Sequence, residues 1–142
     1  NGFGGNNSMN SFNHYSFGAV AAWMYNYSLG IQRDPNHPAF KHFVLQPIPD
    51  PTKEMKFAKG HYDSMYGRIT SEWQWGDKEW IYKVVIPANT SATLKLGAKA
   101  VNQITIDGKK IKKAKGVTLV NEEGQDLILE LVSGNYNIHI SE

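Results

Sequence analysis

The chain holds 142 residues, 41% hydrophobic and 20% charged, with 15 lysines and arginines set against 13 aspartates and glutamates. That length fits one ordinary domain, or a small domain with a piece of another attached, and the composition is that of a folded globular protein rather than a disordered or fibrous one. The formal charge of +2 is too mild for a nucleic-acid surface, no apolar run reaches the roughly 20 residues of a membrane helix, and the lack of cysteine excludes disulfides and thiol chemistry.

Residues 1–11, NGFGGNNSMNS, are rich in glycine and asparagine and show no periodicity, so they read as a loop. The chain opens without an initiator methionine, as a piece cut from a longer polypeptide would. From Asn13 to Leu29 apolar side chains recur at helical spacing, through Val20, Trp23, Met24 and Tyr27 to Ile31. Gly30 falls where a helix C-cap glycine belongs, and Pro35 and Pro38 prevent resumption. The opposite face, with Phe17, Gly18, Ala19, Ala21 and Ala22, is also uncharged. A helix uncharged on every side is normally surrounded by protein, so this one is expected to need cover.

After His37 the pattern is β. Lys41 to Leu45 is a short apolar stretch, and the prolines at 47, 49 and 51 exclude a central strand behind it. Arg68 to Trp75 alternates, with Ile69, Ser71, Trp73 and Trp75 on one face; Gly76-Asp77 turns the chain, and Trp80, Tyr82, Val84 and Ile86 continue the alternation. Further strands are expected at Ala92–Leu96, Gln103–Ile106, Val117–Val120, Leu127–Val132 and Tyr136–Ile140, parted by Asp107-Gly108, Glu123-Gly124 and Ser133-Gly134. Short alternating strands at this spacing predict a mostly β chain, an antiparallel sandwich preceded by one helix.

No complete active site is visible. The histidines at 14, 37, 42, 61 and 139 lack metal-ligand spacing, the carboxylates are dispersed, and no phosphate loop or nucleophile elbow occurs. No metal or organic cofactor is expected. The lysine-rich run from Lys109 to Lys115 reads as a solvated sheet edge protected against edge-to-edge pairing. Asn13, His14 and Tyr15, at the mouth of the uncharged helix, could offer amide, ring nitrogen and hydroxyl to a sugar. On physics alone Asn13 as a helix cap and His14 as a packing residue is the simpler reading.

The segment NSFNHYSFGAVAAWMYNYSLGI resembles the end of the catalytic (α/α)6 barrel in glycoside hydrolase family 78, the bacterial α-L-rhamnosidases. PAFKHFVLQPIPDP, AKGHYDSMYGRITSEW and VVIPANTSATLKL follow in order and look like that family's C-terminal β-sandwich. The resemblance implies a division at Ile31, with residues 1–31 the loop and last helix of the barrel and residues 32–142 the sandwich. It implies a parent enzyme releasing terminal α-L-rhamnose by inversion, with both catalytic acids upstream of Asn1. No catalytic residue is then expected in this chain. His14 matches a pocket histidine that contacts the sugar; Asn13 and Tyr15 match the same motif; Asp63, Tyr66, Gly67 and Arg68 match one in the sandwich whose task is turn geometry and packing. The implied partners are a rhamnose-containing glycan and the upstream barrel, in a bacterial periplasm or cytoplasm. The competing reading is a non-catalytic module, either structural or binding carbohydrate on an exposed platform of Trp73, Trp75 and Trp80.

Overall fold

The computed structural model describes residues 27–37, 40–97, 101–121 and 126–142. Residues 27–29 close a helix, while its expected earlier turns, and with them Asn13, His14 and Tyr15, lie outside the described residues. Gly30 has φ 72°, the left-handed conformation that a helix-terminating glycine adopts without steric cost.

Nine strands follow among the described residues: β1 (Ile31–Arg33), β2 (His42–Leu45), β3 (Phe57–Ser64), β4 (Gly67–Trp75), β5 (Glu79–Leu96), β6 (Ile104–Ile106), β7 (Lys109–Lys110), β8 (Val117–Asn121) and β9 (Leu127–Ser141). Hydrogen bonds join them in the order β1-β2-β5-β9-β6-β7, with β3 and β4 attached beside β5 and β8 beside β9. Two layers arise because β5 and β9 are long enough to serve both. Residues 79–86 of β5 pair with 134–141 of β9, and residues 91–96 pair with 127–132. The first pairing is flanked by β4 and β6, the second by β2 and β8.

Between the two pairings the register jumps, so that residues 87–90 of β5 face a single β9 residue, Ser133. Pro87, which has no amide hydrogen to donate, and Asn89, with φ 65°, stand in this bend. Across the same point the buried positions of β9 switch from 127, 129 and 131 to 136, 138 and 140. A strand that bends and changes phase can feed both layers of a sandwich. The β2–β5 pairing is parallel, whereas the other pairings among the described residues are antiparallel. The 33 residues from Gln46 to Lys78, which include β3 and β4, connect β2 to β5, enough chain for the return that a parallel neighbour needs.

One core fills the space between the layers. Phe43, Leu45, Leu94 and Leu129 from one layer and Ile69, Trp73, Tyr82, Ile138 and Ile140 from the other are fully buried in the same cluster. Each large apolar side chain so removed from water contributes about 1.5–3 kcal/mol. Lys109 and Lys110 are exposed on β7, at one end of the strand order, as a protected edge requires.

Candidate functional site

The helix end and the sheet meet inside the core. A helix leaves its last carbonyls without intrahelical partners, and here the β-domain supplies them. The Ile48 amide donates to the Ser28 carbonyl at 2.9 Å, the Ser71 hydroxyl to the Leu29 carbonyl at 2.8 Å and the Gln46 amide to the Gly30 carbonyl at 2.9 Å. The Trp73 indole N–H donates to the Ser28 hydroxyl at 3.2 Å. Ser28, Leu29, Ser71 and Trp73 are all buried.

Alternation on β4 produces this arrangement. Ile69, Ser71 and Trp73 point inward, so Ser71 is a polar residue placed on an apolar face and must find partners. Its hydrogen goes to Leu29, which leaves its oxygen to accept from the Tyr82 hydroxyl 2.9 Å away on the neighbouring strand. Complete burial of Tyr82 pushes its phenol pKa well above the ordinary value, and the Ser71 hydrogen bond offsets this only in part. Gly60 on β3 permits the close approach, since a Cβ there would stand 2.5 Å from Leu29 Cδ1. At Gly30 a Cβ would stand 2.1 Å from the Gln46 carbonyl oxygen. The junction is thus built from glycines where chain segments approach closely, and from two backbone amides and one hydroxyl that meet the carbonyls.

Trp73 and Trp80 are buried and Trp75 is partly buried, with its indole N–H bound to the Asp50 carbonyl at 2.7 Å and Lys53 Nζ 4.6 Å from its ring centroid. The three indoles therefore offer no exposed platform for a sugar. On the outer face of β3, β4, β5 and β9, Lys59, Glu72, Lys83 and Asn137 form one cross-strand row beside a shallow trough of about 350 Å³. Charges alternate along it, and Tyr136, the aromatic residue in its lining, is only 6% exposed.

Asp63 and Arg68 flank the β3–β4 turn and pair at 2.8 Å, so that the guanidinium holds the carboxyl below its ordinary pKa. Ser64 Oγ accepts from the Tyr66 amide at 3.1 Å and donates to the Gly67 carbonyl at 2.8 Å, and Gly67 has φ 131°. This is turn construction, as the motif implied. His42 forms a second polar cluster on the outer face of the β2 layer. Thr93 Oγ1 donates to Glu130 at 2.6 Å, so it accepts from His42 Nε2 at 2.7 Å; the other ring nitrogen, Nδ1, is hydrogen-bonded to Ser91 Oγ at 2.6 Å. Among the described residues no group of three or more histidine, cysteine, aspartate or glutamate side chains could hold a metal ion.

These features define a β-sandwich whose core takes in the end of a preceding helix and satisfies the carbonyls there. Residues 30–110 match the model of the bacterial alpha-L-rhamnosidase C-terminal domain, and the chain belongs to that family. It is 27% identical over 128 residues to an alpha-L-rhamnosidase of Formosa agariphila, covering 90% of this chain and 13% of that protein. It is 33% identical over 84 residues to one of Streptomyces avermitilis, covering 59% of this chain and 8% of that protein. The chain thus spans a small fraction of these relatives. Its fold matches the crystal structure of the Streptomyces avermitilis alpha-L-rhamnosidase complexed with L-rhamnose with a TM-score of 0.67 at 24% identity, over 91% of this chain and 11% of that one. The Dictyoglumus thermophilum alpha-L-rhamnosidase gives 0.66 at 21% identity, over 89% and 14%.

Proposed function

We propose that this chain works as the C-terminal β-domain of an α-L-rhamnosidase and that its task is to hold the end of the last helix of the catalytic barrel. The observation that carries this reading is the junction. Three consecutive carbonyls at the helix end, of Ser28, Leu29 and Gly30, are each satisfied by a donor from the β-domain. A domain that served only to bind sugar would have no need to build its core around a helix terminus. The relatives' name, alpha-L-rhamnosidase, supports an α-L-rhamnoside as the substrate class, and in this reading the sugar released is terminal α-L-rhamnose on a glycan or glycoside.

In this reading residues 1–31 belong to the barrel and 32–142 to the sandwich. Hydrolysis proceeds with inversion: one carboxylic acid protonates the leaving oxygen while a second activates water on the opposite face, about 6.5–9.5 Å away. Both stand in the upstream barrel. No carboxylate among the described residues is buried, and an acid held protonated by an apolar pocket would need to be. His14 contacts the sugar from the loop entering the helix, with Asn13 and Tyr15 fixing that loop.

The test is hydrolysis of a chromogenic α-L-rhamnoside by the 142-residue chain and by a polypeptide extended with the upstream coding region. The extended protein is expected to turn over and the chain alone to be silent. Rhamnoside turnover by the chain alone, or by neither, would overturn the proposal.

A further inference from the structure

Basic side chains gather in one short stretch. Lys109, Lys110, Lys112, Lys113 and Lys115, five of the 15 lysines and arginines, fall between positions 109 and 115, and all five are exposed. Edge protection accounts for Lys109 and Lys110 on β7, but the other three stand outside the strands. The turn that carries them is anchored: Ile111 is 1% exposed within the core, and the Ala114 amide donates to the Ile111 carbonyl at 3.1 Å. None of the five forms an ion pair with a carboxylate among the described residues. Asp107, the one acidic residue between positions 101 and 121, accepts instead from the Asn137 amide at 3.0 Å. Like charges held together without counter-ions repel one another, and a bound polyanion relieves that repulsion.

Beside Lys110 lies a groove of about 440 Å³. Thr105, which opposes Lys110 across the β6–β7 pair, and Asn102 line it with a hydroxyl and an amide that have no side-chain partner among the described residues. Ammonium groups for acidic substituents and short polar groups for ring hydroxyls are the donors that an acidic sugar chain needs. We infer that this lysine-rich turn is a docking site for an anionic polysaccharide, one bearing carboxylates or sulfates. The inference rests on the reading of the chain as part of a glycan-hydrolysing enzyme. The contact is to acidic residues of the polymer and not to the rhamnose released, so KM for a small neutral rhamnoside does not depend on it. Other polyanions fit less well. Residues 101–121 hold no arginine for bidentate phosphate contacts and no aromatic ring on which a base could stack. Ile111, the large apolar side chain that a membrane surface would take up, is committed to the core.

Isothermal titration calorimetry of the intact chain with polygalacturonate, dextran sulfate and neutral dextran tests this. At least one of the two anionic polymers should bind, which names the acidic group as carboxylate or sulfate, dextran should not, and roughly 0.5 M salt should abolish binding. The triple variant Lys110→Gln, Lys112→Gln and Lys113→Gln should bind about tenfold more weakly or worse. Lys56→Gln, Lys78→Gln and Lys83→Gln together remove the same charge from exposed positions elsewhere and should weaken binding by less than about threefold. Both triple variants should keep the parent's circular dichroism spectrum. Failure of both anionic polymers to bind, equal weakening in the two triple variants, or tighter binding to a DNA duplex or to anionic lipid vesicles would overturn the inference. These outcomes involve no catalysis and leave the rhamnoside turnover test as it stands, whereas a silent extended polypeptide would overturn the proposed function by itself.

Discussion

Replacing Ser71 by alanine separates the junction's hydrogen bonds from its packing. The side chain is 0% exposed, donates to the Leu29 carbonyl and accepts from Tyr82. Ser71→Ala removes one oxygen and leaves two buried groups without those partners, the Leu29 carbonyl and the Tyr82 hydroxyl. Each orphaned group costs about 1–3 kcal/mol. Tyr82 can tilt and a methyl fills most of the space, so a net loss of about 2–4 kcal/mol is expected. In a chain of this size that lowers Tm by roughly 5–15 °C. Tyr82→Phe removes only a donor, leaves Ser71 bound to Leu29 and should cost about 1 kcal/mol. The double variant should be more stable than the sum of the single losses predicts, because the phenylalanine abolishes the donor that the alanine strands. Urea unfolding followed by circular dichroism measures all three. Losses for Ser71→Ala below about 0.5 kcal/mol, or strict additivity in the double variant, would refute the reasoning.

Gly30→Ala must place a Cβ 2.1 Å from the Gln46 carbonyl at φ 72°, so it should unfold or fail to accumulate as soluble protein; Gly60→Ala meets only the end of the Leu29 side chain and should yield a folded, less stable protein by urea titration. Adding methyl α-L-rhamnoside should leave tryptophan emission from residues 73, 75 and 80 unchanged, since none forms an exposed platform; saturable quenching would return sugar binding to the sandwich. Asp50 is held below the ordinary carboxyl pKa of 3.8, chiefly by the Met55 amide and then by the Thr52 hydroxyl. With the folded pKa depressed, its contribution is present above the unfolded value and lost as pH falls through the folded one, so Tm should drop below about pH 4. Asp50→Asn should lower Tm at pH 6 and flatten the acid limb of a Tm-versus-pH curve; an unchanged acid limb would assign that loss to other carboxylates.

Much of the fold is legible from local pattern. The alternation Ile69-Ser71-Trp73 and Trp80-Tyr82-Val84-Ile86 gives the inward faces of β4 and β5, and Gly30 marks the helix end. The β4–β5 turn also falls where Gly76-Asp77 signals it, with Trp75 opposite Trp80. Strand continuity is not legible. Pro87, Asn89 and Ser133-Gly134 carry turn chemistry, yet here they bend single strands from one layer to the other, because a bend within a ladder and a turn between ladders use the same residues. β3 escapes notice because its inward positions begin with Ala58 and Gly60, too small to register as an apolar face; Gly60 is small because Leu29 occupies that space. The junction itself had one visible signal, a serine on an otherwise apolar face. Its partners, Leu29 and Tyr82, are 42 and 11 residues away and depend on tertiary structure. The sugar-contacting candidates Asn13, His14 and Tyr15 rest on the family resemblance, outside the described residues.

The central claim is that the sandwich steadies the helix it grips rather than the substrate. It is tested most directly by introducing Ser71→Ala into the polypeptide extended with the upstream region and measuring both its thermal inactivation and its KM for a chromogenic α-L-rhamnoside. Inactivation at a temperature lower by several degrees, with KM unchanged, is the predicted result. An unchanged inactivation temperature with a raised KM would contradict it and assign the domain to substrate binding.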